Sequence, residues 1–311
     1  MSGDRRAPEP PPLAPRLARP AASPLAASLT RPAGSPLAPR LARAFAAPRA
    51  RRAALIPYVT GGHPDLETSS QVIAALIEAG ADIVELGIPF SDPIADGPVV
   101  QRSTHEALLA GVTPDDVLQL AAVHSGSAPF VLLTYVNTVL AFGPERFFAR
   151  AAASGVEALV IPDLPLDEAA GGTAALAAEA GGLTALAAAN GVSLVPMATP
   201  TSTDARLDMV AEAATSFVYC VAVTGVTGAR RQVGADLPAL IGRLRARTGA
   251  PLAVGFGIST PEQAARVAGL ADGVIIGSAL IDLIAHSTDA DSACRAVGDL
   301  LRAASTAIAG G

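Results

Sequence analysis

DIVELGIPFSDPIADGP, residues 82–98, changes character halfway along. Asp82 to Gly87 is a short apolar run interrupted by one internal acid, Glu85, whereas Ile88 to Pro98 is a stiff loop with three prolines and two aspartates. A run that is apolar at odd and even positions alike has the pattern of a strand covered on both faces, as in a parallel sheet. The loop that follows such a strand is where α/β proteins keep their chemistry.

The same unit recurs in both directions. Short apolar runs at 54–59, 82–87, 130–135, 157–161, 192–196, 217–222, 251–255 and 272–276 alternate with helical patterns near 66–79, 100–123, 144–153, 166–189, 203–214, 236–247, 260–269 and 289–308. Eight βα units predict a single (β/α)8 TIM barrel over residues 39–311, because such barrels commonly reach about 250 residues as one domain. A doubly wound open sheet is the alternative with the same alternation. Residues 1–52 read differently, with 10 arginines, two acids and 11 of the 26 prolines, a net charge of +8 against −14 for the rest. That composition cannot bury a core, so residues 1–38 are expected to be a disordered Pro/Ala/Arg-rich extension, with a short helix beginning near Leu41 to Phe45. A targeting segment and a basic contact arm are its other uses.

Composition narrows the chemistry. All 22 cationic side chains are arginine, which excludes a Schiff-base lysine, a lysine-held pyridoxal phosphate and a P-loop lysine. His63, His105, His124 and His286 are scattered without metal-ligand spacing, so no metal site is expected. Cys220 and Cys294 match no redox motif. No apolar run reaches the roughly 20 residues that a membrane span needs, and a soluble, cytoplasmic protein is expected. Proton chemistry falls to carboxylates.

Glu85 lies two residues before the end of its strand, so its side chain points either into the barrel mouth or into the helix layer. Burial in the helix layer is costly. At the mouth, partial desolvation raises a carboxyl pKa and suits it to move protons near neutral pH. A structural carboxylate bonded to backbone amides is the bland alternative. Asp92, before Pro93, reads as a turn cap. Asp96, before Gly97, either caps a turn or returns over the mouth to accept a hydrogen bond from a ring N–H. Two carboxyls in different environments make an acid/base pair.

Glycines cluster after the last three strands: Gly225 and Gly228, Gly255 and Gly257, then Gly277 before Ser278. Phosphorylated substrates often bind there in barrels, on backbone N–H groups and helix N-termini. Gly257, Gly277 and Ser278 therefore read as a phosphate cradle, with Gly228 closing from the sixth loop. Thr224 to Arg230 has the composition of a mobile lid.

ELGIPFSDPIADGPVVQ, residues 85–101, closely resembles the signature of the tryptophan synthase alpha subunit family. LIPYVTGGHPD, LLTYVNTVLAFG, GVEALVIPDLP, YCVAVTGVTGAR, VGFGIS and DGVIIGSALI follow the family's order, so the resemblance spans roughly residues 40–308. The family's activity is retro-aldol cleavage of indole-3-glycerol phosphate to indole and glyceraldehyde 3-phosphate. The resemblance implies that Glu85 is the general acid/base at indole C3, that Asp96 holds the indole N–H and that Tyr219 stands beside them. It places Tyr58 and Tyr135 around the substrate, Thr227 near Asp96 in a closed state, and Asp92 and Asn137 on a partner-facing surface. It also implies a beta-subunit partner in an α2β2 complex, which carries the pyridoxal phosphate, with no cofactor in this chain.

Two departures stand out. His63 occupies a position where many relatives carry an acid or an aromatic, and it is expected to alter the partner-facing surface. Residues 171–190 look about ten residues longer than the usual fourth helix region, as a broken helix pair or a surface bulge. His105, His124 and His286 are expected to be exposed. The rival functions are a phosphate-binding barrel isomerase of amino-acid biosynthesis and a catalytically weak barrel that activates a partner.

Overall fold

The computed structural model describes residues 38–46, 53–164, 166, 182–221, 236–255 and 257–310. Its strands are β1 (Ala54–Thr60), β2 (Val84–Gly87), β3 (Phe130–Leu133), β4 (Val156–Val160), β5 (Ser193–Leu194), β6 (Met197–Ala198), β7 (Val218–Val221), β8 (Leu252–Gly255) and β9 (Gly273–Ile276). They pair in parallel in the order β5-β4-β3-β2-β1-β9-β8-β7-β6. The two ends of that order are pieces of one run, separated by Val195 and Pro196 alone. Val195 N–H donates to the Leu159 carbonyl at 2.9 Å on one side, and Tyr219 N–H donates to the Pro196 carbonyl at 3.0 Å on the other. The sheet closes on itself, so the barrel is the fold and the open sheet is excluded. Pro196 has no N–H to give to a ladder, which is why the fifth strand of the circuit divides in two.

Alternation along closed strands sorts the side chains. Ala54, Ile56 and Tyr58 of β1 share one cluster with Ile83, Val131, Leu133, Ala158, Val160, Tyr219, Ala253 and Ile275, the filling of the barrel. Leu55, Val59, Val84, Leu86 and Leu132 pack outward against the helices. Glu85 stands level with Tyr58 and with Val131, both of them interior, so its side chain enters the barrel.

The anticipated helix near Leu41 spans Pro39–Ala46 and forms the barrel floor. Leu41 and Phe45 are buried among the interior residues, and the Phe45 ring meets Phe217 with centroids 5.3 Å apart. Gly273 makes room for it, because a Cβ there would lie 2.9 Å from Phe45 Cε1. The first turn of this helix is anchored by Glu157, whose Oε2 accepts from the Arg40 and Leu41 amides at 2.9 Å each. Ala38, just before this helix, is buried; the rest of the expected extension, residues 1–37, lies outside the described residues.

The single helix expected at 100–123 is two helices, Pro98–Leu109 and Pro114–His124. Gly111, at φ 78°, turns the chain, and Thr113 then caps the second helix in a reciprocal capping box with Asp116. Short helices at Val136–Phe142 and Ser278–Ala285 fill stretches read as loop. Of the lengthened fourth region, Gly182–Ala189 is helical; residues 171–181 lie outside the described residues. Cys220 is buried, Cys294 is half-buried, and both are unbridged.

Phe45 closes the floor from a fully buried position. Phe45→Ala is expected to lower the unfolding free energy by about 3–5 kcal/mol, read as a fall in the urea midpoint; a loss under about 1 kcal/mol would show that the helix is not part of the core.

Candidate active site at the barrel mouth

Glu85 is 1% exposed, and among the described residues neither of its oxygens has a hydrogen-bond partner. The contrast with the other buried strand glutamate is direct: Glu157 has two amide donors, whereas Glu85 faces a tyrosine-lined interior. Burial pushes the Glu85 carboxyl up to about 8, and the charge of Asp96 adds to the shift. It is therefore neutral at physiological pH, an acid held ready to donate.

Tyr58 and Tyr219 are buried beside it. Burial raises both phenol pKa values, with Asp96 and Glu85 pushing the same way, so both hydroxyls keep their protons. Three glycines give these rings their space. A Cβ on Gly87 would overlap the Tyr58 hydroxyl, one on Gly255 would lie 2.5 Å from the Tyr219 hydroxyl, and one on Gly277 would lie 3.1 Å from Tyr58 Cδ1. Gly255, grouped above with the phosphate loops, is accounted for by Tyr219.

Asp96 closes a turn, its N–H donating to the Pro93 carbonyl at 3.1 Å, and its carboxyl lies within electrostatic reach of Glu85 and Tyr58, 5% exposed. Its Oδ2 accepts from the Tyr135 hydroxyl at 3.0 Å, and that hydroxyl in turn accepts from the Ala95 amide at 3.1 Å. Phe90 stacks on the Tyr135 ring with centroids 5.0 Å apart. Burial raises the Asp96 carboxyl to about 6 while the Tyr135 bond pulls it down. Two carboxyls at one barrel mouth thus differ in charge near pH 7, Asp96 ionised and Glu85 protonated.

Gln101 was quoted in the 85–101 motif without a role, and the structure supplies one. Its Nε2 donates to the Asp96 carbonyl at 3.0 Å and to the Pro93 carbonyl at 3.4 Å, holding the loop from beneath. Asp92 is exposed and accepts from the Ser91 hydroxyl at 2.6 Å. Asn137 is exposed on the helix Val136–Phe142. Gly257 is exposed at φ 84°, a conformation that favours glycine, and Gly277 precedes the helix Ser278–Ala285. Thr227 and Gly228 lie outside the described residues. His105 and His286 are exposed as expected, but His124 is half-buried against the Ser70 hydroxyl at 2.8 Å. His63 is not a surface group: it is 3% exposed.

The chain is similar to known proteins over most of its length. The family model described as Tryptophan synthase alpha chain matches residues 45–306. The alpha chain of Gloeobacter violaceus is 48% identical over 238 residues, 76% of this chain and 82% of its own, and that of Carboxydothermus hydrogenoformans is 43% identical over 233 residues, 74% and 83%. Among solved structures, Mycobacterium tuberculosis tryptophan synthase superposes with a TM-score of 0.77 at 36% identity, covering 88% of this chain and 99% of that one. The Legionella pneumophila alpha chain gives 0.75 at 32%, covering 86% and 97%.

Burying Glu85 has a thermodynamic signature. The folded pKa of about 8 exceeds the ordinary 4.5, so the unfolded chain ionises first and the wild type loses stability as pH rises from 4.5 to 8. Glu85→Gln escapes that loss. Urea unfolding is expected to find the variant gaining on the wild type by about 1 kcal/mol per pH unit across this window; Asp96 contributes the same slope to both proteins. A difference that does not change with pH would refute the burial account.

Proposed function

This chain belongs to the tryptophan synthase alpha chain family, and from that premise we propose that Glu85 and Asp96 divide the proton chemistry of its lyase reaction between them. The reaction is cleavage of indole-3-glycerol phosphate to indole and glyceraldehyde 3-phosphate. Membership sets aside the isomerase reading.

A neutral acid facing the barrel mouth can protonate indole C3, which turns the ring into an electron sink. The bond from C3 to the glycerol carbon then breaks, its electron pair returns to the ring, and the adjacent hydroxyl loses its proton as the aldehyde forms. One proton enters at C3 and one leaves from the hydroxyl, so a single carboxyl that gives the first and takes the second ends as it began. Positive charge develops on the ring nitrogen meanwhile, and Asp96, ionised and held by Tyr135, is the group to accept its N–H. Electrostatic stabilisation by a preoriented anion in a dry site is a large catalytic effect. The observation that carries this reading is the pair of buried carboxyls at one barrel mouth, Glu85 without a donor among the described residues and Asp96 held by Tyr135. Tyr219 and Tyr58 shape the cavity around the ring.

Gly257, Gly277 and Ser278 are proposed to receive the phosphate, where the helix Ser278–Ala285 starts at the end of β9. First-turn N–H groups suit an anion in a chain without lysine. Thr227 and Gly228 complete the assignment from the family's pattern. The partner is proposed to be a beta subunit that carries the pyridoxal phosphate, in an α2β2 complex in the cytoplasm. Its contact surface includes Asp92 and Asn137. Ile94, 79% exposed beside a cleft of about 310 Å³ that Asp92 and His105 also line, marks the same face. No described helix is long and apolar enough to cross a membrane.

The two pKa values set the pH dependence. Activity requires Asp96 ionised, so it is lost as pH falls through about 6; it requires Glu85 protonated, so it is lost as pH rises through about 8. Indole release is expected to follow a bell between these limits, and Glu85→Gln is expected to reduce it by about 10²–10⁴-fold with folding intact. Wild-type turnover by that variant would remove Glu85 from the mechanism.

A further inference from the structure

His63 has no part in the chemistry just assigned, yet it is buried against the helix that follows the Asp96 loop. It lies between Gly62 and Pro64 in the loop after β1. Gly62 sits at φ 78° with Val112 side-chain atoms where its Cβ would be, so the chain must pass close to the turn between the helices Pro98–Leu109 and Pro114–His124. A buried imidazole needs polar partners, and Nε2 lies 2.7 Å from Glu106 Oε2, on the helix Pro98–Leu109. Three residues earlier, one helical turn away, Ser103 Oγ lies 2.7 Å from Thr60 Oγ1, both groups buried. Two bonds on one helix face therefore tie this helix to the end of β1.

The helix they tie is the support of Asp96. It begins two residues after Asp96, and its Gln101 donates to the Asp96 and Pro93 carbonyls. At the other end of the connection, β1 is paired with β2 so that Tyr58 stands level with Glu85. The route from Glu85 to the Asp96 backbone thus runs across β2 and β1, through Thr60 and His63, and along one helix. Tyr135 holds the Asp96 side chain; the Gln101 bonds and the helix hold its main chain.

Resting on the assignment of Asp96 to the ring N–H, we propose that His63 and Glu106 form a latch that positions Asp96 over the barrel mouth. They are positioning residues, not catalytic ones: loosening them shifts the carboxylate away from the ring nitrogen without touching the proton donor. Displacements of about an ångström in a supporting group are enough to weaken a preorganised site.

Binding of indole-3-glycerol phosphate, measured by calorimetry in a Glu85→Gln background where turnover is blocked, tests this. His63→Ala and Glu106→Ala are each expected to weaken binding by on the order of ten-fold, with the double variant little worse than either. His63→Gln, whose amide can still donate to Glu106, is expected to recover part of the loss. In a background that also carries Asp96→Asn, all three are expected to have no further effect. Losses of the same size with and without the Asp96 carboxylate would make His63 a packing residue and overturn the latch, as would unchanged binding in Glu106→Ala, whose half-exposed side chain makes it the variant safest for folding. If Asp96→Asn alone leaves binding unchanged, it is the reading of Asp96 that fails, and the latch with it.

Discussion

A glutamate placed inside a β-barrel without a donor for either oxygen is uncharged at neutral pH, since ionising it there would leave an anion with neither water nor a partner. The remainder of the site follows from that constraint at Glu85. Its neighbours in the barrel are phenols whose protons are also held by burial, so nothing nearby competes to deprotonate it. The charge of Asp96 makes its ionisation harder still. Asp96 escapes the same fate through a better environment: it accepts from Tyr135 and sits nearer to solvent. Like charges at one mouth separate into an acid and an anion, the pair that the proposed lyase chemistry calls for.

The barrel builds this asymmetry cheaply. Strand alternation sends Glu85 inward at the level of Tyr58, while the floor below is closed by Phe45 and Leu41 and by a second glutamate, Glu157, that caps their helix. Two glutamates in neighbouring parts of one barrel thus have opposite roles because one meets backbone amides and the other does not. Glycines at positions 87, 255 and 277 give the phenol rings their space without lengthening any loop.

Much of this was legible in the sequence, and the parts that were not share a cause. Period and apolarity located the eight strands because a barrel strand is covered on both faces, and Glu85 stood out as an acid in the middle of such a run, whereas Asp82, Glu157 and Asp272 open theirs. The return of Asp96 was legible as an alternative because an acid before glycine in a proline-stiff loop has few other uses. Pro196 would have signalled the divided fifth strand, and Gly111 with Thr113-Pro114 the divided helix, had local punctuation been weighed above helical period. What stayed hidden was pairing across long sequence distances. Nothing local tells that Gln101 supports the Asp96 carbonyl, that Glu157 caps a helix 116 residues away, or that His63 is buried against Glu106 instead of facing a partner.

Everything above turns on Glu85 carrying its proton at neutral pH while Asp96 does not. A ¹³C NMR titration of the side-chain carboxyls, with Glu85 assigned by its absence in Glu85→Gln, measures this directly. The account expects a Glu85 midpoint near 8 and an Asp96 midpoint near 6, the two coupled. A Glu85 carboxyl that ionises near 4.5, with the exposed glutamates, would contradict it.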